Sequence, residues 1–218
     1  MSLERNLAFL QALSEHNDKS WMDEHRKWYE EEKKSFESFV GAVIAAIAAF
    51  DPAIGDLLPK DCIFRINRDI RFSKDKSPYK NNFGASFSDG GKKSPKAGYY
   101  IHIQPDQCFL GGGMWMPEAQ TLKNIRQEID YNFEHFQQII NHKEFATYFK
   151  KIDGDRLSRP PKGYEETNPA IEFLKHKSFT VGLRLSNKQV QQKDFVEYCG
   201  KAFAAMKPFV DFLNQSLD

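Results

Sequence analysis

The fold is decided by a strand–turn–strand stretch, which reads GYYIHIQPDQCFLGGGMWM at residues 98–116. Its first part alternates between two series of side chains, which are Tyr99, Ile101 and Ile103 on one side and Tyr100, His102 and Gln104 on the other. Because successive side chains of a strand point to opposite faces, one face is apolar and the other is more polar. The turn Pro105-Asp106-Gln107 follows, and residues 108–116 return as a second strand. The stretch predicts an antiparallel hairpin with one buried face.

Patterns elsewhere in the chain predict an α+β fold. Further strands are expected at residues 63–72, 83–87 and 178–186, and helices at 4–15, 20–50, 118–131, 133–141, 144–150 and 190–216. Ser20 is a candidate N-cap of the second helix, and Gly41 is a candidate kink in it. We expect a mainly antiparallel sheet with helices packed on one face, an N-terminal helical pair and a C-terminal helix. The expected organisation is a single domain over 1–218, with N-terminal helices in 4–50, a sheet core in 62–116 plus the strand near 178–186, and helices in 118–150 and 190–216.

Composition and charge narrow the class of protein. The 218 residues are 40% apolar and include 19 Phe, 8 Tyr and 3 Trp, enough for a sizeable core. The net charge of +1 argues against a general nucleic-acid binder, which is usually strongly basic. Residues 1–59 carry 6 Lys and Arg against 11 Asp and Glu, whereas residues 60–100 carry 10 against 4. This asymmetry fits acidic helices that pack near basic strands, and equally a basic binding site.

Cysteine usage and hydropathy predict the compartment. Cys62, Cys108 and Cys199 lie far apart with no paired spacing. An odd count without a secretory signal indicates reduced thiols. The longest mostly apolar stretch, residues 39–50, is about half the length of a membrane span. We expect a cytoplasmic protein with no membrane segment.

The densest chemical feature is the basic run RINRDIRFSKDKSPYK at residues 65–80, with six cationic side chains. If its first half is a strand, Arg65, Asp69 and Arg71 project from the same face. Asp69 would then hold the two guanidinium groups while their free edges bind a carboxylate or phosphate. The alternative is a salt-bridged, solvated sheet face followed by a polar turn, in which each pair contributes little.

Arg68 interrupts the apolar face of the same predicted strand. A buried guanidinium needs a partner because an unpaired buried charge is very costly. A carboxylate from the acidic second helix is the expected partner, and a ligand contact is the alternative.

Two further segments and one histidine complete the candidates. Gly111–Gly113 before Trp115 allow close backbone approach but match no dinucleotide or phosphate loop, and a bulged strand end is the alternative. The rigid loop at residues 160–164 presents Lys162 and Tyr164, either over a pocket or on the surface. His102 lies on a polar strand face, where it serves as a general base or is merely hydrogen-bonded. No metal-ligand spacing and no nucleophile elbow is found, so no metal or cofactor is expected.

These segments together resemble an uncharacterised family of conserved hypothetical proteins, domain of unknown function 2461. The resemblance rests on motifs along nearly the whole chain, namely Phe9-Leu10-x-x-Leu13, Asn17-x-Lys19-x-Trp21, Tyr29, the run at 65–80, Gly98-Tyr99-Tyr100, Gly111-Gly112-Gly113-x-Trp115 and Pro161-Lys162-Gly163-Tyr164. The chain departs from the family pattern at His16 and Met22. The resemblance implies that the Arg, Lys and Tyr cluster is a family signature, and it implies no activity.

The leading hypothesis is binding of a small phosphorylated or carboxylated ligand in a basic pocket, with catalysis on it left open. The expected ligand-binding residues are Arg65, Arg68, Asp69, Arg71, Ser73, Lys74, Lys76, Lys80, Trp115, Lys162 and Tyr164. The candidates for proton transfer are Tyr79, His102 and Tyr100. The alternatives are a non-enzymatic module whose basic face meets an acidic protein or a nucleic-acid backbone, and a purely structural ion-pair network.

Overall fold

The computed structural model describes residues 2–217, so Met1 and Asp218, the two ends of the predicted domain, lie outside it. The helices are α1 Glu4–Glu15, α2 Lys19–Glu24, α3 Arg26–Ala48, α4 Pro59–Cys62, α5 Ala119–Tyr131, α6 Phe133–Asn141, α7 Lys143–Tyr148, α8 Ile171–Leu174, α9 Asn187–Val190 and α10 Phe195–Gln215, with a short 3-10 helix at Pro52–Ile54. The strands are β1 Phe83–Phe87, β2 Gly98–Ile103, β3 Cys108–Met114 and β4 Phe179–Leu185. The predicted α+β class is confirmed.

The four strands form one antiparallel sheet in the order β1-β2-β3-β4. The predicted hairpin is confirmed as β2 and β3, and its turn is closed by Gln107 N–H, which donates to Gln104 O at 3.0 Å. One side of the sheet, the core face, carries the apolar series of each strand, including Phe83, Ala85, Phe87, Tyr99, Ile101, Ile103, Cys108, Leu110, Phe179 and Val181, all buried. The alternation read from the sequence therefore decides which side chains enter the core.

Helices α3 and α10 cover the core face. Aromatic rings join the layers, since Phe36 of α3 lies 5.2 Å from Phe83 of β1 and Phe39 stacks on Phe195 of α10 at 5.6 Å. Helix α10 also packs on β3, where a side chain at Gly112 would overlap the Met206 sulfur. Each fully buried ring contributes about 1.5–3 kcal/mol by the usual transfer scale. Burial of these rings between the helices and the sheet therefore determines which face of the sheet is covered.

The prediction of one continuous helix at 20–50 is wrong in two respects, because the N-cap lies earlier and the segment forms two helices. The cap is Asp18, whose carboxylate accepts from Trp21 N–H at 2.9 Å, rather than Ser20. The chain breaks between α2 and α3 at His25, whose ring stacks on Trp21 at 4.2 Å. Gly41 lies inside the continuous α3. An Asp cap two residues earlier outcompetes Ser20, because its carboxylate satisfies an amide at the positive end of the helix.

The predicted strand at 63–72 is also wrong. This segment makes only isolated bridges, from Ile63 to Ala85 and from Asn67 to Tyr79. Asp69 instead accepts from the backbone N–H of Arg71 at 3.3 Å, a local turn bond that competes with a sheet ladder. The alternating pattern is therefore present without a partner strand to use it.

The glycine run lies within regular β3 pairing rather than in a bulge, because Gly111, Gly112 and Gly113 each have a partner in both neighbouring strands. Gly113 has φ 102°, and a Cβ there would overlap the carbonyl oxygen of Phe179. Trp115, just beyond the run, is 71% exposed.

We predict that Gly113→Ala lowers the free energy of unfolding by about 3 kcal/mol or more, because it adds a backbone overlap to the strain of positive φ. Gly163→Ala is the matched control, since Gly163 has φ 95° and nothing within 4 Å of the added Cβ. We expect the control to lose about 1–2 kcal/mol. Equal losses in urea unfolding would contradict this account.

His176 is a buried group that the sequence does not reveal. It is fully buried, and neither ring nitrogen has a hydrogen-bond partner within residues 2–217. Burial first, and Arg156 second, lower its pKa to about 4, against the opposing charges of Asp153 and Glu172. Folding therefore favours the neutral imidazole.

This shift predicts acid sensitivity. The unfolded chain takes up the proton below pH ~6.5 and the folded chain only near pH 4, so the stability due to neutral His176 is present above 6.5 and lost as the pH falls toward 4. We expect the free energy of unfolding of His176→Leu to fall less between pH 7 and 4 than that of the unmodified protein, by up to about 3 kcal/mol. Denaturant unfolding of both proteins from pH 7 to 4 measures it, and parallel curves would refute it.

Candidate functional site

The basic run folds back on itself instead of lining a strand. Arg68 N–H donates to Pro78 O at 2.9 Å and Lys80 N–H donates to Ile66 O at 2.8 Å, so residues 66–68 lie beside 78–80. Between them, residues 69–77 project as a loop that we call the basic loop. Phe72 in this loop is 96% exposed.

Asn17 anchors the base of the basic loop. Its side-chain Nδ2 donates to Tyr79 O at 3.0 Å, and its Oδ1 accepts from Tyr79 N–H at 3.1 Å. Tyr79 itself is buried and lies near Tyr29 of α3. Tyr79, a predicted proton-transfer residue, is therefore packed between the loop and the N-terminal helices.

Several predicted ligand-binding cations are already paired inside the basic loop. Arg71 binds Asp69 through two hydrogen bonds of 2.9 and 2.6 Å, which hold the pKa of the Asp69 carboxyl below its ordinary value. Lys76 Nζ donates to Ile70 O at 2.9 Å. Lys74 is exposed and Ser73 half-buried. At the surface, solvent screens such pairs, so they stabilise the fold only slightly.

Arg68 pairs within the loop too. Its guanidinium contacts Asp75 and donates to Ser77 Oγ at 2.6 Å. Hydrogen bonds from the Ser77 amide and hydroxyl, followed by that from Arg68, lower the pKa of Asp75 to about 2. The expected partner, a carboxylate of the second helix, is wrong, because a carboxylate seven residues away closes the loop locally.

The other face of the sheet gathers a second group of candidates. We call it the open face, and its members are Gly84, Ser86, Tyr100, His102, Phe109, Gly111, Thr180, Gly182 and Arg184. Two rows cross the strands in register, Gly84–His102–Phe109–Arg184 and Ser86–Tyr100–Gly111–Gly182. Tyr100, His102 and Phe109 are half-buried, whereas Gly182 and Arg184 are exposed. The register thus sets aromatic, imidazole and guanidinium groups side by side.

A hydrogen-bond chain runs along β2 on the open face. The Tyr100 hydroxyl lies 3.1 Å from His102 Nδ1, and His102 Nε2 lies 2.9 Å from Gln104 Oε1. Because Gln104 Oε1 only accepts, Nε2 carries the proton and Nδ1 accepts from the Tyr100 hydroxyl. Burial lowers the pKa of His102 and raises the pKa of Tyr100. Both groups are therefore neutral near pH 7, with the Tyr100 hydroxyl as donor and His102 Nδ1 as acceptor of the bond between them.

Lys80 connects the basic run to the open face. Its Nζ donates to Arg65 O at 2.9 Å and lies 5.7 Å from the centre of the Phe64 ring, which meets Tyr100 edge-on at 6.2 Å. Burial, followed by the Arg65 charge, lowers the pKa of Lys80. The structure thus brings four predicted residues together, Arg65, Lys80, Tyr100 and His102.

The remaining predicted residues lie elsewhere. Trp115 is six residues beyond Phe109 along the β3 direction, roughly 20 Å away. Tyr164 lies beside Arg126 and Asp130 of α5, and burial together with the Asp130 charge raises its pKa. Lys162 is exposed on the same loop as Tyr164. These residues do not join the open face.

Sequence reasoning missed Arg184, and its position in β4 would have revealed it. Arg184 alternates with Leu183 and Leu185, which predicts the more polar face. Within residues 2–217 the guanidinium groups of Arg184 and Arg65 form no ion pair and donate no hydrogen bond. Two unpaired cations therefore border the open face from opposite edges of the sheet.

A separate cleft of about 400 Å³ lies where the 3-10 helix, the start of β2 and the end of α10 meet. The Tyr99 hydroxyl donates to Asp51 there at 2.8 Å, and Lys207 pairs with Asp211. No predicted site residue lines this cleft. Elsewhere among the described residues, no three His, Cys, Asp or Glu side chains come together as a metal ligand set.

The fold and the open face define an α+β protein whose helices cover one side of a four-stranded sheet. The chain belongs to the conserved hypothetical protein family DUF2461, whose model matches residues 5–212 and confirms the resemblance drawn from the motifs. No curated protein and no solved structure matches the chain significantly. Within residues 2–217, no helix is both long enough and apolar enough to cross a bilayer.

The hydrogen-bond chain makes a prediction about His102. Tyr100→Phe removes a donor that stabilises the neutral imidazole, so the pKa of His102 should rise relative to the unmodified protein. An NMR pH titration of the His102 ring measures both values. Tyr131→Phe, at an exposed tyrosine on α5, is the control and should change nothing. An unchanged His102 titration in Tyr100→Phe would show that the hydroxyl does not donate to it.

Proposed function

We propose that the protein binds a small anionic ligand, phosphorylated or carboxylated, on the open face between Lys80 and Arg184. The observation that carries the proposal is the unpaired Arg184, which lies directly opposite Phe109 and two strands from His102. A guanidinium with free donors on a structured surface is suited to bidentate binding of a carboxylate or phosphate. Lys80 and Arg65 add positive charge at the other edge.

The neutral side chains of Tyr100 and His102, on the same face, orient the ligand and exchange a proton with it in this proposal. Tyr100 and His102 lie at the centre of the face, where their mutual hydrogen bond orients both. An anion bound beside His102 would favour the imidazolium and raise its pKa, which draws a proton to the ligand. Proton transfer between His102, Tyr100 and the ligand is the chemistry that this pair can perform.

A second candidate function belongs to the basic loop. Phe72 is 96% exposed, and Arg71 lies over its ring at 5.9 Å. An exposed aromatic ring amid cations favours the non-enzymatic alternative, in which the loop docks on an acidic protein. The structural alternative is supported by the pairs of Arg68 and Arg71 within the loop, which use those cations for the fold.

Charge-removing variants separate these functions. We predict that Arg184→Gln weakens binding of ribose 5-phosphate and citrate about tenfold, because a charged hydrogen bond contributes about 1.5–3 kcal/mol before solvent screening. Arg71→Gln is the matched control and should keep the affinity, since Arg71 is paired with Asp69. Isothermal titration calorimetry measures both variants.

Two outcomes would contradict the proposal. If no small anion gives a heat of binding or raises the melting temperature, the open-face site is refuted. A loss of binding in Arg71→Gln with none in Arg184→Gln would move the site to the basic loop. In either case, circular dichroism melting of each variant establishes that the fold is intact.

A further inference from the structure

We propose that the anion bound on the open face carries a flat heteroaromatic ring, so that the ligand is a nucleotide whose base stacks on Phe109. The inference rests on the proposed function and specifies its ligand class. It is carried by the surroundings of Phe109, an aromatic residue at the centre of an accessible sheet face.

One face of the Phe109 ring is occupied and the other is turned toward β4. The His102 ring stacks on Phe109 at 4.8 Å with an interplanar angle of 17°. Because β3 lies between β2 and β4, the opposite ring face points away from His102 and toward Gly182 and Arg184. Stacking of a base on an accessible aromatic ring weakens about tenfold or more when the ring is removed.

Glycines leave the floor beside Phe109 without side chains. Gly111 and Gly182 are direct partners across β3 and β4, so two neighbouring backbones are bare, and Gly182 is exposed. The Phe109 ring leans over Gly111, where an added Cβ would lie 3.5 Å from a ring carbon. A planar ring placed over Gly182 thus has a backbone floor and the Phe109 ring as a wall.

Charges on β4 and beside it orient the ligand. The Asp153 carboxylate pairs with Lys151 through Oδ1 at 3.4 Å, and its Oδ2 lies 3.5 Å from the position of a Cβ on Gly182. A carboxylate repels phosphate and accepts hydrogen bonds from ring amines, so the base belongs over Gly182. The phosphate belongs toward Arg184, which lies one row further along the strand and has no ion pair among residues 2–217. An aminopurine or aminopyrimidine 5′-phosphate satisfies both positions.

Calorimetry with the full chain tests this against the simpler anion site. AMP is compared with ribose 5-phosphate, which shares its phosphate and sugar and lacks the base. We expect AMP to bind at least tenfold more tightly, and Phe109→Leu to reduce AMP to the affinity of ribose 5-phosphate without changing the latter. Arg184→Gln should weaken both ligands by the same factor. Phe72→Leu, at an exposed ring outside the sheet, is the control and should change neither.

A second variant keeps the test independent of Phe109. Gly182→Val puts a β-branched side chain on the stacking floor, where the nearest atom to an added Cβ is 3.5 Å away, so the fold should tolerate it. We expect it to abolish the preference for AMP and to keep binding of ribose 5-phosphate.

The possible failures are distinguishable. Equal affinities for AMP and ribose 5-phosphate, both weakened by Arg184→Gln, would overturn the nucleotide inference and leave the anion site standing. Retention of the AMP preference in both Phe109→Leu and Gly182→Val would also overturn it. Binding of neither ligand would overturn the inference and the proposed function together.

Discussion

Burial of the core face beneath α3 and α10 is the constraint on which the open face depends. Strand side chains alternate, so each apolar residue placed under a helix places its neighbour on the other side. Met206 fits against Gly112 and holds α10 on β3, and this contact leaves Phe109 and Gly111 facing away from the helices. Tyr100, His102 and Arg184, an arginine with no ion pair among residues 2–217, therefore share a surface because of hydrophobic packing on its reverse.

The alternating strands β1 to β4 could be predicted to within a few residues, because a half-buried strand imprints a period of two on its sequence. The same period misled at residues 63–72, where Asp69 forms a local turn bond and the described chain pairs the segment only through isolated bridges at Ile63 and Asn67. The four-residue helices α8 and α9 carry too little sequence for a periodic signal. Hydrophobic alternation shows that a segment favours a strand, but the segment forms one only where a second strand is available to pair with it.

Some residues of the candidate site could likewise be predicted from the sequence, and others could not. Tyr100 and His102 could be found from strand parity, since both belong to the polar series of β2. Arg184 could not be found from charge density, because it is a lone cation among apolar residues; strand alternation places it on the polar face of β4, and the register sets it opposite Phe109. The conspicuous cations Arg68 and Arg71 are the ones that the chain neutralises itself, with Asp75 and Asp69. The high density of charge at residues 65–80 therefore indicated ion pairs within the loop rather than cations left free for a ligand.

The amide of Asn17 has a wider consequence. By bonding both the N–H and the C=O of Tyr79, its side chain replaces one residue of a neighbouring strand. Two motifs separated by 62 positions are thereby a single mechanical unit, the first in the turn between α1 and α2 and the second at the foot of the basic loop. One carboxamide therefore ties the turn between the two amino-terminal helices directly to the base of the basic loop.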